Sequence, residues 1–410
     1  QMRKTFLALF LCLNSVAAAV AQMQQLPKDP AIKYGVLPNG LTYYVRHNAE
    51  PKGQAEFFIA QNVGSMQEED NQRGLAHFLE HMCFNGTTHF PGKDLINYLE
   101  GIGVQFGRNL NAYTAFDETV YNISAVPVSR EGIVDSCLLI LHDWSCDLLL
   151  EDKEIDSERG VIHEEWRTSN AGRRMMTNIL PQLYPGSRYG YRMPIGTMEI
   201  VDNFPYQALR DYYHTWYRPD LQAILVVGDI DADQIVQKIK KLFADIPMPK
   251  NPKERVWQPV PDNDEPVLAV TSDREQTVNN VVLAFKHDAT PRELRNTAQF
   301  YVQEYVEQAA MSMLNTRITE LLQKPEPPFL GGGVGAGEFY VSKTKETVMF
   351  AGNYADGGLD RCLTVGVQEM ERARRHGFTA SEYDRFRTNY LRAIEQTYTE
   401  REKRTSNSYV

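Results

Sequence analysis

Residues 34–62 run in short apolar stretches broken by turn residues. Segments 34–37 and 42–46 flank Pro38, Asn39 and Gly40 and predict a hairpin, and 55–62 predicts a further strand. The period then changes. Segments 74–84 and 94–102 carry apolar residues at helical spacing, and 119–126 returns to alternation. Long helical periodicity follows through 130–150, 153–168 and 173–183. Segment 208–217 predicts a helix, 221–227 a buried strand ending at Gly228 and Asp229, and 232–244 an amphipathic helix.

Five prolines and several charges between 246 and 264 read as a linker. Beyond it the order restarts. Strands are expected at 267–271 and 278–285, then a helix over 292–323. A glycine-rich turn at 331–337 precedes strands at 338–341 and 347–352, and helices at 359–376 and 381–404 follow. The pattern predicts an α+β chain of two successive related domains, each a mainly antiparallel sheet packed with long helices. The first spans 34–246, the linker 247–264 and the second 265–410, with no short-period repeat.

Composition narrows the class. With 42% apolar and 23% charged residues, the 410-residue chain can bury two cores and is not a disordered polymer. A formal charge of −10 argues against nucleic acid as a partner, since no basic excess exists to displace counterions. Residues 2–21 read as a signal peptide, with Arg3 and Lys4 before an apolar run and Ala19, Val20 and Ala21 as the cleavage box. Residues 22–33 then form a polar tail. Export is expected, to the periplasm or outside, and no membrane span is expected once the signal is removed. Cys12 after Leu11 fits a lipoprotein box poorly. Cys83, Cys137, Cys146 and Cys362 are too few for a disulfide scaffold, and Cys83 reads as a buried free thiol.

The stretch His77-Phe78-Leu79-Glu80-His81 carries the chemistry. Positions four apart share a helix face, so two imidazoles can grip one ion. Glu80 then lies beside the ion, where its carboxylate can take a proton from an attacking water and return it to a leaving amine. By itself the pattern is also met on ordinary amphipathic helices. A catalytic zinc site needs a third protein ligand, and 156–167 offers carboxylates on a helix. Glu158 and Glu165 stand two turns apart on one face, which suits Glu165 as ligand and Glu158 as a group orienting another ligand. Glu164 is rotated by about 100° and reads as a solvated position.

Gly74-Leu75-Ala76-His77-Phe78-Leu79-Glu80-His81-Met82 with Phe84-Asn85-Gly86-Thr87 resembles the signature of the pitrilysin/insulinase family of inverted-motif zinc peptidases. Residues 158–165 resemble that family's third-ligand helix. Trp216 to Pro219 with Val226 to Asp229 resemble the end of its first domain. The resemblance implies half of a pitrilysin-type clamshell, one Zn2+ held by His77, His81 and Glu165, and catalysis by Glu80 assisted by Glu158. It also implies that an extended peptide substrate binds along an edge strand, here Asn111, Ala112, Tyr113 and Thr114.

Two departures stand out. The interval from His81 to Glu165 is longer than the family's usual one, which keeps Glu164 open as the ligand. Family members also complete the chamber with a zinc-free second half, expected here as the C-terminal half of the same protein or a partner subunit. The alternative is a non-catalytic zinc-binding subunit or scaffold. The glycines at 331–337 lack a following Lys-Ser/Thr and do not read as a phosphate cradle.

Overall fold

The computed structural model describes residues 25–410, so the expected signal peptide and Cys12 lie outside the described residues. Two compact units are present. One comprises residues 29–275 and 400–410, the other residues 25–28 and 276–399.

The first unit is built on a six-stranded sheet. Its strands are β1 (Ile32–Val36), β2 (Thr42–His47), β3 (Gln54–Gln61), β4 (Leu110–Thr114), β5 (Thr119–Pro127) and β6 (Gln222–Gly228). Their spatial order is β1-β2-β6-β3-β5-β4. Every neighbouring pair is antiparallel except β2 with β6. The β1–β2 hairpin turns at the Pro-Asn-Gly sequence, with Val36 opposite Thr42. Buried Phe57, Ile59, Tyr121, Ile123, Ile224 and Val226 line the core of the sheet, and β4 is left at one edge.

Among the described residues eight α-helices accompany this sheet. They are α1 (Leu75–Met82), α2 (Asp94–Gly101), α3 (Ile133–Cys146), α4 (Asp152–Arg167), α5 (Ala171–Leu183), α6 (Met198–Asn203), α7 (Tyr206–Trp216) and α8 (Ala232–Phe243). α1 buries Leu75, Ala76, Phe78, Leu79 and Met82, each large apolar side chain contributing about 1.5–3 kcal/mol. That leaves His77, Glu80 and His81 on its other side. The helix expected over 130–150 is shorter, because its last turn is drawn into pairing with the loop after α1. Leu148 bridges to Thr87, and Leu149 N–H donates to Gly86 O at 3.2 Å. Buried Asp143 fastens the same loop, accepting from Thr87 Oγ1, from His89 N at 3.1 Å and from His89 Nδ1 at 2.8 Å.

The proline-rich stretch stays with this unit. Buried Arg255 pairs with buried Asp117 at 2.8 Å and donates through Nε to Asn62 O at 3.1 Å. The division between the units falls at Glu275, and 267–271 forms no strand. Residues 400–410 return to the first unit, where Ser406 N–H donates to Glu50 O at 2.7 Å.

The second unit has the antiparallel order β7-β9-β8, from β7 (Asn279–Asp288), β8 (Gly331–Glu338) and β9 (Lys345–Tyr354). Helices α9 (Ala298–Leu322), α10 (Leu359–His376) and α11 (Ala380–Thr399) accompany it. Leu314, Ile318, Phe329, Val334, Phe350 and Cys362 form its core. The expected glycine turn at 331–337 is a strand, and the turn comes at 339–344 instead of the expected strand at 338–341. Close approach explains this. Asn315 of α9 donates to Val334 O and accepts from Val334 N, and a Cβ on Gly333 would lie 2.8 Å from Asn315 Oδ1. Glycine is a poor strand former by itself, but here its missing side chain admits the helix.

Among the described residues no helix is long and apolar enough to cross a membrane. Cys83, Cys137, Cys146 and Cys362 are free, and burial raises the Cys83 thiol well above its usual range.

Candidate metal centre

The site depends on how α1 begins. Gly74 precedes it at φ 105°, a backbone region that a side chain disfavours, and has no side chain to cap the helix. Glu68 caps it from a distance, its Oε1 accepting from Gly74 N at 3.1 Å and Ala76 N at 2.8 Å. Complete burial pushes this carboxyl up to about 8, against the pull of those two N–H groups and of Arg192 and Arg188. Glu68→Ala should cost about 1–3 kcal/mol by leaving buried donors unpaired, and Glu68→Gln should cost less. The folded value lies above the ordinary 4.5, so the native state binds this proton more tightly. Its stabilising contribution is full below pH about 4.5 and is lost as pH rises through about 8. Denaturant titrations across that window should show the loss in wild type and its absence in Glu68→Gln.

His77 and His81 stand one turn apart on α1, rings edge to face with centroids 4.7 Å apart. Their Nε2 atoms are 3.2 Å from each other. Glu165, from α4, brings Oε2 to 3.4 Å from His77 Nε2 and 3.6 Å from His81 Nε2. A tetrahedral ion with ligand bonds of about 2.0–2.1 Å separates its donors by about 3.3–3.4 Å, so the triangle fits zinc in size and donor type. Glu164 turns away, 58% exposed and paired with Arg167.

Other groups hold these donors. Arg173 Nη1 donates to Glu165 Oε1 at 2.7 Å, which leaves Oε2 facing the histidines. His81 Nδ1 donates to Glu158 Oε1 at 2.7 Å, so its Nε2 lone pair faces the triangle. Burial lowers both imidazoles. At His81 the hydrogen bonds to Glu158 and Glu165 outweigh it and raise the group to about 9, so an ion that binds at Nε2 displaces a proton from it. At His77 burial and the neighbouring His81 charge lower it to about 4. The His81 hydrogen bond, with His77 and Arg173, depresses Glu165 to about 2 despite burial. Burial acts against Glu158 ionisation as well, but the His81 hydrogen bond holds its pKa below the usual range. The anionic pair of glutamates thus favours a cation between the imidazoles.

Glu80 is outside the triangle. Its Oε2 accepts from Thr114 Oγ1 at 2.5 Å, and burial raises its pKa against that bond. Thr114 ends β4, which pairs with β5, Asn111 opposite Asn122 and Ala112 opposite Tyr121, while Leu110 at its start also bridges to Phe106. Among the described residues no strand pairs with the outer side of β4. Tyr113 is half exposed there, its hydroxyl donating to Glu118 Oε1 at 3.2 Å.

The structure therefore brings His77, His81, Glu158 and Glu165 into one cluster, with Glu80 and Thr114 joined to each other. Asn111, Ala112 and Tyr113 lie along the same edge strand. Sequence reasoning missed Arg173, whose link to Glu165 depends on the α4–α5 turn, where Asn170 Oδ1 accepts from Arg173 N at 2.9 Å. It also missed Glu68, which no spacing rule connects to the helix it caps.

A two-unit α+β architecture with a His-x-x-Glu-His helix and a facing glutamate defines an insulinase-type peptidase fold. The chain belongs to peptidase family M16. The family model described as Insulinase (Peptidase family M16) matches residues 43–188, and that described as Peptidase M16 inactive domain matches 203–390. Among its relatives, the probable zinc protease PqqL of Escherichia coli is 35% identical, over 89% of this chain and 39% of that protein. PqqL of Haemophilus influenzae is 33% identical, over 93% of this chain and 41% of that protein. The chain thus spans about two fifths of their length. The crystal structure of the first half of the periplasmic protease PqqL from Escherichia coli superposes with a TM-score of 0.82 at 31% identity. That match covers 94% of this chain and 81% of the other. Pitrilysin, at 19% identity and a TM-score of 0.66, shares the fold, over 88% of this chain and 38% of its own. Both PqqL relatives are named as probable zinc proteases.

Proposed function

We propose that this chain is the zinc-carrying part of a metalloendopeptidase that hydrolyses peptides or unfolded segments after export. His77, His81 and Glu165 hold one zinc ion, and Glu80 is the general base. The carrying observation is the triangle of three donors 3.2–3.6 Å apart, with the Glu80 carboxylate nearby but outside it. Zinc, when bound, would acidify a water and polarise the scissile carbonyl. Glu80 takes the proton from the attacking water and passes it to the departing amine. Thr114 holds that carboxylate in place, and burial raises its affinity for the proton. An extended peptide adds to the outer edge of β4, contacting Asn111, Ala112, Tyr113 and Thr114, so backbone shape is read more than sequence. Export is supported by the periplasmic origin of the Escherichia coli relative.

The test is metal content. The purified chain should carry about one equivalent of zinc. Ala at His77, His81 or Glu165 should remove most of it, and Glu164→Ala should not. Full zinc in Glu165→Ala with loss in Glu164→Ala would reverse the ligand assignment.

A further inference from the structure

Behind His81 the hydrogen bonding does not stop at Glu158. Asn85 Nδ2 donates to Glu158 Oε2 at 2.7 Å and approaches His81 O at 3.3 Å, and Lys93 Nζ donates to Asn85 Oδ1. Asn85 is 5% exposed. It lies just past α1, where its N–H donates to Met82 O at 3.0 Å. Lys93 comes from the loop that enters α2.

Resting on the metal reading above, we propose that Asn85 and Lys93 are positioning residues that fix the carboxylate behind His81, and so set the zinc affinity of the site. The chemistry of the chain has one direction. A lysine ammonium can only donate and an ionised carboxylate can only accept. Asn85 between them must turn its oxygen to Lys93 and its amide hydrogens to Glu158. Glu158 is then gripped at both oxygens, by Asn85 on Oε2 and by His81 on Oε1, and cannot rotate away from the imidazole. His81 is held with Nδ1 protonated and Nε2 free to ligate, and it gains basicity from the anion behind it. The Lys93 cation also compensates the charge of Glu158. His77 has no matching device, since its buried Nδ1 makes no hydrogen bond. The orientation of the pair therefore depends on the chain behind His81.

The experiment is a zinc titration of the apo form of the 410-residue chain against a competing chelator, with the visible spectrum of its cobalt-loaded form as a second readout. Asn85→Ala should weaken zinc about 10–100-fold and shift the cobalt bands, as loss of an outer hydrogen-bond partner does. Lys93→Met should weaken zinc in the same direction by a smaller factor. Lys93→Arg, which keeps a donor and a charge, should restore wild-type affinity and spectrum. Lys93→Met removes the donor to the buried Asn85 oxygen, so loss of zinc affinity and a shift of the cobalt bands in a variant whose apoprotein is still folded under the titration conditions separate positioning from folding. Wild-type affinity and spectrum in both Asn85→Ala and Lys93→Met would overturn this proposal alone. A wild-type chain that takes up no zinc would overturn the metal reading and this proposal with it.

Discussion

Glu80→Gln should keep its zinc and its fold and lose about 10²–10⁴-fold in turnover. Glutamine retains the shape of the side chain and can still pair with Thr114 Oγ1, so the contact between α1 and β4 survives. It cannot accept the proton of the attacking water. Glu80 is not one of the three donors of the triangle, which separates this variant from a ligand variant. Metal analysis should therefore read wild-type while kcat collapses, and KM should change little. Such a variant should hold uncleaved peptide long enough for its complex to be isolated. Near-normal hydrolysis by Glu80→Gln would remove Glu80 from the mechanism.

The second large effect concerns what faces the site. His77, His81 and Glu165 have side-chain exposures of 12%, 22% and 33%, so the centre lies close to solvent on the first unit. Peptide hydrolysis needs donors at the developing oxyanion and walls that hold the substrate in register. His77, His81 and Glu165 themselves supply neither. In two of the relatives more than half of the protein lies outside the part that this chain matches, which is 39% of one and 41% of the other. Residues 1–410 alone should bind zinc yet cleave a quenched peptide slowly. A protein extended to the length of those relatives, or supplemented with their remaining half as a separate chain, should be faster by about 10²–10³ or more, the worth of a single oxyanion donor. Equal turnover at equal zinc occupancy would show that the opposing half is dispensable.

The two histidines one turn apart, the interposed Glu80 and the Glu158–Glu165 pair were legible because each is a local pattern on one helix. Helical geometry alone places i and i+4 together, and two turns return a side chain to the same face. The Pro-Asn-Gly hairpin was legible for the same reason, since its turn chemistry sits within a few residues. The glycine run at 331–337 was misread because local propensity favours a turn. The strand exists because Asn315 of α9 must come close to it. The end of α3 was likewise decided elsewhere, by pairing of Leu148 and Leu149 with residues beyond α1.

The sequence by itself determined the donors: which residue types could hold zinc, and on which faces of α1 and α4 they lie. Tertiary structure decided whether those faces meet, at 3.4 and 3.6 Å from Glu165 to the two imidazoles. It also decided which groups hold the donors still: Glu68 at the start of α1, Arg173 on Glu165, and Asn85 on Glu158. The physical reason is range. A helix fixes relations within a few residues through its own hydrogen bonds, whereas a partner up to 73 positions away, as Asn85 is from Glu158, is fixed only by packing of the elements that carry it.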